Sequence, residues 1–252
     1  MMNDLIEVAN VTKTFGSYLA VDNLSLNVQR GEIVVLLGQT GAGKSTVLNL
    51  IMGTISPSQG SIRVAGVDPH NSFKELKGRL SVSFQNDRLL PWRTAVENAE
   101  LGLLILGKPK KEARARAKEW LRRVRLDGVD DKYVHELSGG MRQRVSLARA
   151  LAIDPEIVFL DESFSQLDHA TSKTLRRDFH QIAREFNKTC LLISHRIEDA
   201  LEMADRAIVL GPPARIALEV RIDDAERADP NRMAELHRRI AGAIGGSSSA
   251  EH

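Results

Sequence analysis

Two kinds of apolar pattern follow one another at the start of the chain. Residues 6–8 (IEV) and 24–28 (LSLNV) place apolar and polar side chains in turn, which predicts strands buried on one face. Residues 33–37 (IVVLL) are apolar without interruption, which predicts a strand covered on both faces in a parallel sheet. That run stops at Gly38, and residues 45–52 (STVLNLIM) then show helical spacing. Short apolar runs return at 157–160 (IVFL), 191–193 (LLI) and 207–210 (AIVL), the first two followed at once by polar residues. Short buried strands alternating with helices predict an α/β sheet with its ligands at the carboxyl ends of the strands. Between about residues 87 and 153 strand signals vanish and helical patterns take over, so this span is expected to be a helical insertion in the α/β core. Residues 1–230 are expected to form one domain, followed by a helix over 231–244 and a small, polar, disordered tail over 245–252 (GGSSSAEH).

Composition narrows the picture. Thirty-five Lys and Arg stand against 33 Asp and Glu, a net charge of +2, which argues against a generally basic nucleic-acid coat. The basic stretch 108–125 keeps an apolar face of Ala113, Ala117, Trp120, Leu121 and Val124 at helical spacing. It reads as a solvated helix rather than a lipid or nucleic-acid surface. Cys190 is the one cysteine, which rules out an internal disulfide framework. The opening residues lack the pattern of a secretory signal. No run approaches eighteen continuous apolar residues, so a role in transport needs another chain to supply the membrane path.

Candidate chemistry begins where the 33–37 run ends. Gly38-Gln39-Thr40-Gly41-Ala42-Gly43-Lys44-Ser45 fits G-x-x-x-x-G-K-[ST], the Walker A pattern. Glycines let successive backbone N–H groups turn inward on a phosphate, and the following helix adds the positive end of its dipole. Lys44 is expected to reach the β- and γ-phosphates and Ser45 to bind Mg²⁺, with Gly38, Gly41, Gly43 and Thr46 completing the nucleotide-binding set. The run 157–160 delivers Asp161 and Glu162. Asp161 suits Mg²⁺ and Glu162 suits polarising an attacking water. A second cradle lies at Ser138-Gly139-Gly140, where Ser138 can cap a helix and the glycines leave N–H groups accessible.

Leu137-Ser138-Gly139-Gly140-Met141 resembles the signature motif of ATP-binding cassette (ABC) ATPases, usually LSGGQ. Order and spacing are similar as well: Walker A, Gln85, the signature, Walker B, then His195. The resemblance covers about residues 4–220. It implies a P-loop NTPase (RecA-like) core with an N-terminal antiparallel β-subdomain and an inserted α-helical subdomain. It also implies an ATPase that uses ATP and Mg²⁺, in which two copies, or two homologous subunits, pair head to tail. Ser138, Gly139 and Gly140 of one subunit then bind the γ-phosphate held by the other. Gln85 senses Mg²⁺ or the attacking water, His195 contacts the γ-phosphate, Phe15 stacks on adenine and Asp168 lies at the dimer interface.

The segment 85–94 (QNDRLLPWRT) resembles importers of nitrate, sulfonates and taurine. That branch implies transmembrane permease subunits as partners, a periplasmic or extracellular solute-binding protein acting indirectly, and a place on the cytoplasmic face of the plasma membrane. Nucleic acid is not expected. A lipid-trafficking ATPase is the alternative, or a soluble one acting on nucleic acid or ribosomes. The latter usually has tandem cassettes or a long coiled-coil insertion, and this sequence shows neither. Importers usually read D-E-P-F followed by A-L-D. Here Ser163 replaces the proline and Gln166 the alanine, which is expected to loosen the loop before Asp168. Arg196 follows His195 where an acid is frequent. Regulation by the C-terminal domain that some transport ATPases append is not expected from the short segment after residue 230.

Overall fold

The computed structural model describes residues 4–246. The first elements in chain order are β1 (Asp4–Phe15), β2 (Tyr18–Gln29), β3 (Ile33–Leu37), α1 (Lys44–Ile51), β4 (Gln59–Val64) and β5 (Leu80–Ser83). Helices α2 (Ala95–Ala99), α3 (Leu101–Ile105), α4 (Lys110–Arg123) and α5 (Gly139–Ala152) follow, then β6 (Ile157–Asp161) and α6 (His169–Glu185). The chain continues with β7 (Thr189–Ile193), α7 (Ile197–Met203), β8 (Arg206–Gly211), β9 (Arg215–Arg221), α8 (Asp224–Ala228) and α9 (Pro230–Gly246). These form two compact units, Lys77–Lys188 and the chain on either side of it. The architecture is that of a P-loop NTPase: mixed α/β, with a three-stranded antiparallel sheet near the N-terminus.

In the unit built from both chain ends, β1 pairs with β2 and β4 in the order β2-β1-β4. The expected strands at 6–8 and 24–28 are segments of strands twelve residues long. Register shifts break the alternation, and Asn10 and Asn23 adopt left-handed φ values of 50° and 44°. Bulges of this kind send two neighbouring side chains to one face, so a period-two pattern loses phase. β3 runs parallel to β7 on one side and β8 on the other, and β9 pairs antiparallel to β8. All five residues of β3 are buried, as the uninterrupted apolar run requires. Burial of each such side chain contributes about 1.5–3 kcal/mol, which anchors the strand whose end carries the phosphate loop. At the start of β8 the buried Arg206 guanidinium meets Glu32 at 2.9 Å and Glu219 at 2.8 Å. Ion pairs satisfy a charge that the apolar neighbours of β8 cannot.

In the other unit β5 and β6 are parallel, with Ser83 opposite Leu160. No strand lies between them among the described residues, and the connection is helical from α2 to α5. Thr94 and Glu97 form a capping box that starts α2. Ala113, Ala117, Trp120 and Leu121 of α4 are buried together with Val124. Three of its cations meet carboxylates: Arg114 with Glu100 at 2.6 Å, Lys118 with Asp130 at 3.1 Å, Arg123 with Glu119 at 2.8 Å.

The C-terminal helix expected over 231–244 is α9, and a short α8 precedes it. Asp223 and Glu226 form the capping box of α8. Asp229 stays extended because Pro230 disfavours helical backbone before it, and its carboxylate accepts from Asn231 N at 2.9 Å. Gly245 and Gly246 belong to α9, and the rest of the tail expected to be disordered lies outside the described residues.

Lys188 Nζ donates to Asp154 Oδ1 at 2.5 Å and to the Pro155 carbonyl at 2.9 Å, tying the turn before β6 to the end of α6. That hydrogen bond, helped by the charges of Lys188 and Arg116, holds the Asp154 carboxyl below its ordinary value. A carboxyl depressed on folding stabilises the folded state above its unfolded pKa, and the gain is lost as pH falls through the folded one. Asp154→Asn is therefore expected to lower the melting temperature at pH 7. The gap to the parent should close as pH drops below about 3.8. A gap constant from pH 7 to pH 3 would contradict the assignment.

Candidate functional site

The phosphate loop grows out of β3. Leu37 ends the buried run, and Gly38 follows at φ 153° with its α-carbon so near β8 that a Cβ would stand 2.5 Å from the Leu210 carbonyl. Gly43 caps α1 at φ 80°, and a Cβ there would meet Ala214 at 2.7 Å and the Ala20 carbonyl at 2.8 Å. Gly41, at φ 89°, faces open space. Glycine is thus demanded at three positions by left-handed backbone and at two of them by contact as well. Lys44 is 6% exposed, and its Nζ donates to the Gly38 and Gln39 carbonyls at 2.7 and 2.9 Å. The ammonium folds back over its own loop, where an arriving phosphate can compete for it. Ser45 is exposed and Thr46 half-buried on the first turn of α1. Gln39 Nε2 donates to the Ile244 carbonyl at 2.9 Å, so the last turn of α9 touches the loop, a contact no sequence pattern announces.

His195 follows β7 and is exposed. The residue before it, Ser194, donates its N–H to Leu36 at 3.1 Å, holding the end of β7 beside the end of β3. Ser194 Oγ also accepts from Arg196 N at 3.0 Å and donates to the buried Asp199 at 2.5 Å, which fixes the turn that presents His195. Phe15 ends β1, 48% exposed, with Lys13 Nζ 5.0 Å from its ring centroid. A ring this exposed leaves a face that can take a stacking partner.

The catalytic candidates of the other unit sit where β5 and β6 end. Asp161 and Glu162 are half-buried, and Glu162 has a left-handed φ of 48°. Gln85 Nε2 lies 3.3 Å from Glu162 Oε2 and 3.3 Å from Ser165 Oγ, so these two expected residues are brought together. Helix α5 grips the loop after Gln85. Arg142 bridges Asp87 Oδ2 at 3.1 Å and the Leu137 carbonyl at 2.9 Å. Arg149 donates to the carbonyls of Asp87 and Arg88 at 2.6 and 2.8 Å, and burial lowers its pKa.

Ser138 is the N-cap of α5, its Oγ accepting from Met141 N at 3.3 Å. Gly139 has room around it, whereas a Cβ on Gly140 would stand 2.8 Å from the Thr171 methyl. Asp168 caps α6 by accepting from Thr171 N at 3.0 Å, and hydrogen bonds from the Thr171 side chain and backbone hold its carboxyl below the usual range. The expected interface place of Asp168 does not include this cap, although D-x-x-T ahead of a helix is a recognisable start. Among the described residues no cluster of three or more His, Cys, Asp or Glu could hold a metal. The Ser45 hydroxyl and the Asp161 carboxylate are oxygen donors, the kind Mg²⁺ takes alongside phosphate and water.

A family model described as "ABC transporter" matches residues 21–165, more than half of the chain. The chain belongs to that family. The bicarbonate transport ATP-binding protein CmpD of Synechocystis sp. is 40% identical over 91% of this chain and 83% of its own. The taurine import ATP-binding protein TauB of Yersinia pestis is 38% identical over 88% and 86%. The Fe(3+) ions import ATP-binding protein FbpC of Escherichia coli K12 is 38% identical over 82% of this chain, which spans 59% of that relative's length. Among solved structures, a dimeric post-hydrolysis state of the cassette MJ0796 bound to ADP and phosphate matches with a TM-score of 0.76 and 31% identity, covering 86% of this chain and 99% of that one.

For an ABC cassette the phosphate loop sets the most direct test. Gly43→Ala is expected to cost at least about 2 kcal/mol, from left-handed backbone and from overlap with Ala214 and Ala20. Urea unfolding measures it, and an unchanged midpoint would contradict the geometry.

Proposed function

We propose that this cassette hydrolyses ATP to ADP and phosphate and drives an importer whose membrane path is formed by separate permease subunits. The observation that carries the hydrolytic part is the 3.3 Å approach of the Gln85 amide to the Glu162 carboxylate at the end of β6. A carboxylate on a strand end, oriented by an amide, suits a base for an attacking water. Glu162 takes the proton of that water. Lys44 and the N–H groups of Gly38, Gly41 and Gly43 neutralise the phosphates, and His195 donates to a γ-phosphate oxygen. Ser45 and Asp161 would hold Mg²⁺, which would supply positive charge against the transferred phosphate. Gln85 orients the water, Thr46 completes the phosphate set and Phe15 stacks on adenine.

Ser138, Gly139 and Gly140 serve the γ-phosphate bound by a second cassette, identical or homologous, in a head-to-tail pair whose interface includes Asp168. The dimeric state of the MJ0796 cassette supports pairing. No described helix is long and apolar enough to cross a membrane. We place the cassette at the cytoplasmic face, against the permease, with a solute-binding protein acting on the far side. The solute belongs to the nitrate, sulfonate and taurine class, a reading supported by the segment 85–94 and by the likeness to TauB.

Glu162→Gln is expected to lower steady ATP turnover at least about 100-fold while ATP still binds. Near-parent phosphate release would remove Glu162 from the base role. Lys44→Ala is expected to lose about 100-fold in ATP affinity or turnover, and an unaffected variant would overturn the loop assignment.

A further inference from the structure

Ser163 and Gln166 stand where family importers usually carry proline and alanine, and each makes a bond those residues cannot make. Ser163 is 4% exposed, and its Oγ donates to the Ser83 carbonyl at 2.9 Å. Gln166 Nε2 donates to Asn86 Oδ1 at 3.1 Å. Ser83 ends β5 two residues before Gln85, and Asn86 follows Gln85 directly. The loops after β5 and β6 are therefore stapled on both sides of the Gln85–Glu162 contact. The sequence led us to expect a loosened loop, and the bonds observed tighten it.

The staple has something to hold. Glu162 has left-handed backbone, a conformation disfavoured for a residue with a side chain. A turn closes on its carbonyl, with Ser165 N at 3.0 Å and Ser165 Oγ at 2.8 Å. Phe164 packs against Phe179 beneath it, ring centroids 6.1 Å apart. These contacts fix the Glu162 side of the pair. The Gln85 side is an exposed loop end, and Gln85 reaches Glu162 and Ser165 only at the long limit of hydrogen bonding.

We infer that Gln166 and Ser163 are positioning residues that hold Gln85 against Glu162, with Gln166 acting through Asn86. The inference rests on the hydrolytic reading above. A group that acts through orientation alters the reacting geometry, not the binding of ATP in the phosphate loop.

The test uses the full chain with Gln166→Ala, Asn86→Ala, the double variant, and the exchanged pair Asn86→Gln/Gln166→Asn, which preserves the combined side-chain length. Gln166→Ala and Asn86→Ala are each expected to lower kcat about fivefold, the rate equivalent of one ordinary hydrogen bond, with KM for ATP unmoved. The double variant should lose no more than either single one, and the exchanged pair should recover most of the rate. Additive losses, a change confined to KM, or unchanged kcat would overturn the inference. Amide exchange without nucleotide supplies a readout independent of turnover. Gln166→Ala should speed exchange in residues 84–88, and equal exchange there would also overturn it. A parent chain without ATPase activity would contradict the hydrolytic reading, and exchange would still decide the staple.

Discussion

A phosphate group brought against protein loses water on that side, and the protein must replace it with N–H donors and positive charge. That constraint organises the unit built from both chain ends. Backbone N–H groups turn inward only where φ can be positive, so glycine occupies 38, 41 and 43. A loop of glycines has no rigidity of its own, so it hangs from β3, which is buried along its whole length between β7 and β8. The same packing that demands glycine at 38 and 43 pins the loop to Leu210, Ala214 and Ala20. Lys44 adds the charge, and its ammonium donates to the loop's own Gly38 and Gln39 carbonyls.

The other unit solves a different problem, the aim of a carboxylate. Glu162 sits on left-handed backbone, which costs roughly 1–2 kcal/mol for a residue with a side chain. Phe164 buried against Phe179, the Ser165 turn and the Asp168 cap of α6 offset that cost on one side. Ser163 and Gln166 reach to the strand and loop that carry Gln85. Arg142 and Arg149 hold the same loop from α5, the helix that Ser138 begins. Motifs far apart in the chain share one hydrogen-bonded framework in this unit.

How much of this was legible in the sequence depends on whether the cause was local. The phosphate loop was legible because its residue types follow from backbone conformation alone. β3, β6, β7 and β8 were legible because burial on both faces leaves an uninterrupted apolar run. The full lengths of β1 and β2 were not, since bulges at Asn10 and Asn23 break the alternation. β4, with one face exposed and three successive exposed residues at its start, left no pattern. α8 was missed although its Asp223–Glu226 capping box was readable. Of the site, the residue identities were legible and the partners were not. Ser163 and Gln166 looked like losses because Ser83 and Asn86, 80 residues earlier, do not announce themselves as acceptors.

Two phosphate cradles in one chain make sense if each completes a site on another copy. Light scattering of the Glu162→Gln chain, with and without saturating Mg-ATP, distinguishes this pairing from a site complete within one chain. The monomer mass is expected without nucleotide and twice that mass with it, reverting when Mg-ADP replaces Mg-ATP. A monomer mass at saturating ATP, with nucleotide binding verified in the same sample, would contradict it.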